Sequence, residues 1–161
     1  MYDKILVPLD GSDLAELAIR HAQEIARGAR SEILLLQAVN FPYPVVPETA
    51  MFPDGEWLAG AKKEAARYLD GIAAPLREAG MRVRTILDKR SPADAILHVA
   101  AREGVDLIVM STHGRGGLSR MLMGSVAESV FRATPRTVML VKPEPPAVVK
   151  RHEEELYLHL P

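Results

Sequence analysis

Apolar positions along this chain fall into two alternating patterns. Short, nearly unbroken apolar runs occur at Lys4 to Leu9 (KILVPL), Ile33 to Val39 (ILLLQAV), Arg82 to Leu87, Val105 to Met110 and Thr137 to Val141 (TVMLV). Such runs predict strands buried on both faces. Between them apolar residues recur at helical spacing. Leu14, Leu17, Ala18, His21, Ala22, Ile25 and Ala29 form one stripe, and Leu58, Ala61, Ala65, Tyr68, Leu69, Ile72 and Leu76 a second that ends near Gly80. Ile96, Leu97 and Ala100 supply the inner face of a third helix. Asp13 with Glu16 has the spacing of a capping box, with Ser12 as a rival N-cap. Ser91-Pro92 places serine at an N-cap and proline at the first helical position. Ser125 with Glu128 predicts a capping box for a fourth helix, closely followed by Pro135. From Asn40 to Glu56 the prolines at 42, 44, 47 and 53 exclude regular helix and central strand. A connection this long in a small domain is usually functional or mobile.

Strands alternating with helices imply α/β architecture: a three-layer, doubly wound, five-stranded parallel sheet of Rossmann-like type with right-handed crossovers. Residues 1–142 would form its single domain and 143–161 a C-terminal tail. In the order 3-2-1-4-5 the winding reverses between strands one and four, and ligands bind beyond the C-terminal strand ends at such a reversal. The loops after those two strands, PLDGSD (8–13) and STHGRGG (111–117), are the richest in small residues in the chain. Topology and composition therefore point to one crevice.

Length and composition narrow the function classes. The chain has 161 residues, 48% apolar and 25% charged, enough for one domain with a substantial core. Its formal net charge is −1 with no block of like charges, which argues against capture of nucleic acid. No apolar run approaches the roughly 20 residues that span a bilayer. The opening MYDKILVPLDGS lacks the layout of a secretory leader, so a cytoplasmic location is expected. With no cysteine there is neither disulfide, thiol catalysis nor Cys-ligated zinc.

Glycine clusters allow positive φ or close approach of backbone to another group. Gly114, Gly116 and Gly117 could wrap a phosphate chain, while Gly124 and Ser125 could offer N–H groups and a hydroxyl at a helix N-terminus. Arg115 and Arg120 stand near enough in sequence to neutralise phosphate. The alternative is purely structural: Ser125 caps its helix and Gly114 relieves a left-handed turn. His113 could act as a general base but reads better as a polar loop residue. Asp10 could hold Mg²⁺ through phosphate or water, or fix its own loop by bonding backbone N–H groups. A base or ribose contact is favoured over a metal ligand. His21 reads as structural, and His98, His152 and His159 show no metal spacing. Phe52 and Trp57 could shield a ligand, and packing explains them equally well.

The chain resembles the universal stress protein family, in its ATP-binding subgroup. That family's signature is a glycine, two residues, a second glycine, nine residues, a third glycine, then serine or threonine. Here Ser111 takes the first place, and Gly114, Gly124 and Ser125 hold the others within STHGRGGL…GSVAE. ILVPLDGSD, SPADAI at 91 to 96 and the closing TVMLVKP are also similar, so the likeness spans residues 2 to 142. It implies that Pro8 and Asp10 border adenine and ribose and that Ala38 closes on the base. It also implies that Gly114, Arg115, Gly117 and Gly124 surround the phosphates, with Ser111, Ser125 and Val126 completing the site. Serine is small and can donate a hydrogen bond, so binding is expected to survive the departure at Ser111.

The chain has no G-x-x-x-x-G-K-[ST] loop and no G-x-S-x-G elbow. An ATP-binding regulator, with Mg²⁺ and with slow or no hydrolysis, is therefore expected over an ATP-hydrolysing or nucleotidyl-transfer enzyme. PLDGSD does not match the S-G-G-x-D-S loop of the latter class, and no flavin site is identifiable. The third alternative is a nucleotide-free structural dimer. In the expected order, strand five is an apolar edge, which invites antiparallel pairing in a closed homodimer. The family resemblance implies the same dimer. The tail carries Leu156, Leu158 and Leu160, which could pack on the partner.

Overall fold

A computed structural model describes residues 2–39, 56–112 and 123–142. Five strands, β1 (Lys4–Leu9), β2 (Glu32–Ala38), β3 (Arg82–Asp88), β4 (Leu107–Ser111) and β5 (Thr137–Val141), alternate with four helices. These are α1 (Asp13–Ala29), α2 (Glu56–Glu78), α3 (Pro92–Arg102) and α4 (Ser125–Ala133). All strand pairs are parallel and the order is β3-β2-β1-β4-β5, as the sequence pattern predicts.

Strand alternation sends successive side chains to opposite faces and so builds two cores. Ile5, Val7, Ile33, Leu35 and Val109 pack against Ala18, Ala22 and Ala26 of α1 and Leu69, Ala73 and Leu76 of α2. On the opposite face Leu6, Leu34, Leu36 and Ile108 pack against Ala95, Ile96 and Val99 of α3 and Ala127 and Val130 of α4. Alanines on α1 let that helix lie close to the sheet. Helix α2 runs unbroken through Pro75. Proline there removes one i→i−4 bond, and the buried faces of Leu69, Ala73 and Leu76 hold the helix together across it. Near the end of β2, Gln37 Oε1 is buried and has no hydrogen-bond partner among the described residues.

The N-terminal strand ends are closed by charge. The Asp106 carboxylate accepts from the backbone N–H groups of Asp3 and Lys4, both at 2.9 Å. Those bonds, Lys4 first, hold its carboxyl below the usual aspartate range. The folded state therefore favours the charged form, and the stability this contributes is present above the ordinary aspartate pKa. It is lost as pH falls through the lowered folded value. Asp106→Asn is expected to lower stability at neutral pH and to flatten its decline between about pH 5 and pH 2. Urea midpoints across that range check it; equal acid slopes in the two proteins would count against the assignment.

Several boundaries differ from expectation. Strand β2 runs Glu32–Ala38, one residue earlier than Ile33–Val39, and β3 extends one residue further, to Asp88. Strand β4 begins at Leu107, because Val105 N–H still bonds to Ala100 O in the turn that ends α3, and it extends to Ser111. Helix α2 begins at Glu56, the last residue of the proline-rich stretch, whose remainder lies outside the described residues.

Candidate functional site

The winding reverses between β1 and β4, which pair at Ile5 with Leu107 and Leu6 with Ile108. Beyond β1 the chain turns through Asp10, Gly11 and Ser12 into α1. Gly11 adopts φ 80, in the left-handed region open to glycine. Asp10 Oδ1 accepts from the Ser12 N–H at 3.0 Å and from the Ser12 hydroxyl at 2.6 Å. Ser12 Oγ in turn accepts from the Ala15 N–H at 3.2 Å, which makes Ser12 the N-cap of α1. Of the two caps the sequence allows, Ser12 wins and the Asp13–Glu16 box does not form. Glu16 lies one position too far along the helix, and its carboxylate instead accepts the Tyr68 hydroxyl at 2.8 Å. Asp10 thus fixes its own loop, one of the alternatives open to it.

At the other side of the crevice, Ser111 ends β4 and is buried, as is Thr112. Thr112 N–H donates to Val141 O at 2.9 Å, and Thr112 O accepts from Gly124 N–H at 2.7 Å. That second bond clasps the start of α4 to the end of β4. Gly124 is the N-cap residue, with φ −59 and ψ 147 and no side-chain capping bond, and Ser125 is the first helical residue. The expected Ser125–Glu128 capping box is therefore corrected. The clasp holds Gly124 extended, so the helix starts one residue earlier than a serine cap requires; Glu128 falls one position past the box and pairs with Arg132 at 2.9 Å. The clasp also occupies the N–H of Gly124. The exposed hydroxyl of Ser125 and the first-turn N–H groups of Ser125 and Val126 are left as donors.

Pro8 and Ala38 occupy the upper ends of β1 and β2, both half-buried, and Ala38 packs on the α3–α4 face. Gly114, Arg115, Gly116, Gly117, Arg120 and His113 lie outside the described residues, as do Phe52 and the side chain of Trp57. Among the described residues no group of His, Asp and Glu is arranged to hold a metal ion.

Two features escape the sequence pattern. Asp88, in register with Ala38 at the end of β3, is buried and accepts from Arg90 Nη1 at 2.8 Å through Oδ2. Burial pushes its carboxyl up, but the bonds from Arg90 outweigh burial and hold it below the usual range. Tyr68 appears in the sequence only as part of an apolar stripe, yet its hydroxyl reaches Glu16 in the first turn of α1.

The family model of the universal stress protein family matches residues 1–142. The chain belongs to that family. It is 34% identical over 145 residues to universal stress protein MJ0531 of Methanocaldococcus jannaschii, covering 88% of this chain and 83% of that protein. It is 32% identical to universal stress protein YxiE of Bacillus subtilis, covering 88% of this chain and all of that one. Among solved structures, MJ0577 superposes with TM-score 0.79 at 31% identity, over 91% of this chain and 99% of the other. A universal stress protein in complex with cAMP shares the fold at TM-score 0.58 and 22% identity, over 88% and 97% of the two chains. No helix among the described residues is long and apolar enough to cross a membrane.

Proposed function

We propose that this universal stress protein binds ATP, with Mg²⁺, in the crevice between β1 and β4. It would act as a nucleotide-responsive cytoplasmic homodimer in stress responses, with slow or no hydrolysis. The observation that carries this is the clasp from Gly124 N–H to Thr112 O. It sets the first turn of α4 beside the end of β4, the strand that meets β1 at the winding reversal. Phosphate suits that turn, since free N–H groups, the helix dipole and the Ser125 hydroxyl all favour an anion. Small residues at Gly124 and Ala38 leave room for the triphosphate and the base, and Asp10 offers acceptor oxygen to ribose or to a hydrated Mg²⁺. The likeness of GSVAE to the family signature supports the same placement, and Ser111, Gly114, Arg115 and Gly117 would complete the phosphate site. That a family member of this fold is known in complex with cAMP agrees with an adenine ligand.

The dimer would form through β5. Among the described residues that strand pairs only with β4, and Val138, Met139 and Leu140 remain partly exposed. Leu17 of α1, 37% exposed, shares with Met139 and Val141 a cleft of about 490 Å³ along this edge.

Calorimetric titration of nucleotide-stripped protein with ATP and Mg²⁺ tests the nucleotide reading. Saturable binding supports it, while no heat at two temperatures would leave the nucleotide-free dimer as the better account.

A further inference from the structure

The loop that carries Asp10 is held from two sides. From within, Asp10 bonds Ser12 and Ser12 bonds Ala15. From outside, the phenol of Tyr68 reaches the first turn of α1, into which the loop runs, from a different helix. Tyr68 Oη donates to Glu16 Oε1 at 2.8 Å, and the Glu16 N–H donates to Ser12 O at 3.2 Å, so the phenol grips the first turn of α1 where Ser12 caps it. Its helix is well anchored, because Ala65, Leu69 and Ala73 around it are buried against the sheet. Gly11, by contrast, is exposed and has the freedom of a glycine at φ 80. A rigid helix therefore ties down the helix turn that follows this permissive residue, beside the proposed ligand contact.

We infer that Tyr68 is a positioning residue of the nucleotide site: its hydroxyl, bonded to Glu16, holds the first turn of α1 and with it the Ser12 cap that fixes Asp10 in the shape presented to the ligand. The inference rests on the nucleotide reading above and assigns it a residue that touches no ligand. Half-burial, then the Glu16 carboxylate and then Asp10 push the phenol well above its usual range. It consequently stays protonated and able to donate at any physiological pH.

The test compares wild type, Tyr68→Phe, Glu16→Gln and Glu16→Leu at a temperature where all four are folded. Phenylalanine keeps the ring and its packing and removes only the hydroxyl. ATP and adenosine are each expected to bind Tyr68→Phe about five- to tenfold more weakly, the weight of one hydrogen bond. The equal loss for both ligands locates the effect at Asp10 and not at the phosphates. Glu16→Gln keeps an acceptor for the phenol and is expected within about twofold of wild type, whereas Glu16→Leu should behave like Tyr68→Phe. In the free protein, amide exchange at Ser12 and Ala15 is expected to quicken in Tyr68→Phe and Glu16→Leu.

A loss of thermal stability in Tyr68→Phe with unchanged affinity would overturn the inference, since that is all a packing role predicts. Failure of wild type to bind ATP would overturn the nucleotide reading instead. Amide exchange would then decide the tether alone, and unchanged exchange at Ser12 and Ala15 would overturn it.

Discussion

Replacing Gly124 with aspartate is expected to weaken ATP binding at least about a hundredfold while the fold survives. The backbone at Gly124, φ −59 and ψ 147, is open to any residue, and the position is a helix N-cap. Aspartate is among the best N-cap residues and glycine a weaker one, so the helix should gain slightly if anything. The ligand site loses on two counts. The new carboxylate competes for the first-turn N–H groups that phosphate would use. It also sets a negative charge beside the triphosphate, where two unit charges at about 4 Å repel by about 4 kcal/mol at an effective dielectric near 20. Counterions and Mg²⁺ screen part of this, hence the lower bound. Titration calorimetry reads the affinity and thermal unfolding reads the fold. A variant that binds ATP like wild type would place the nucleotide away from α4, and the small residues there would serve only the clasp to Thr112.

The fold was largely legible because its signals are local and repeated. Five apolar runs separated by helical stripes admit few arrangements other than a doubly wound sheet, and the reversal between β1 and β4 follows from the order alone. What escaped depends on contacts distant in sequence. Thr112 reads as an ordinary loop residue, and only the fold shows that its carbonyl accepts the N–H of Gly124. That bond moves the start of α4 by one residue and turns Ser125 from an expected cap into an exposed first-turn hydroxyl. Glu16 was misplaced for a related reason. Capping boxes are read by spacing from the cap, and shifting the cap from Asp13 to Ser12 frees its carboxylate for Tyr68, 52 positions away. A tyrosine at the margin of an apolar stripe is the one hint that the pattern holds, since a half-buried phenol must place its hydroxyl somewhere. Asp88 gives no such hint, because a carboxylate closing a strand looks like any loop residue until the structure shows it buried against Arg90.

The last large effect concerns the β5 edge. An isologous antiparallel pairing of two identical strands must be symmetric about one residue, and for Thr137–Val141 full overlap puts Met139 on the axis opposite its own copy. Met139→Lys would then set two ammonium groups against each other at the centre of the interface, where like charges directly opposite are destabilising. Lysine on an edge strand is also how natural sheets discourage pairing. The monomer should tolerate the change, because Met139 is only partly buried and the lysine stem can cover the same apolar surface with its head in water. Dimer dissociation is expected to rise at least about a hundredfold, near 3 kcal/mol at 1.4 kcal/mol per tenfold. Sedimentation equilibrium over a concentration series measures it, with circular dichroism confirming the fold. A wild-type protein that sediments as a monomer, or a Met139→Lys variant that dimerises as tightly as wild type, would rule out β5 as the interface. ATP affinity in the variant carries separate information. If it holds, each crevice is complete within one chain; if it falls with the dimer, the two sites report on the edge they share.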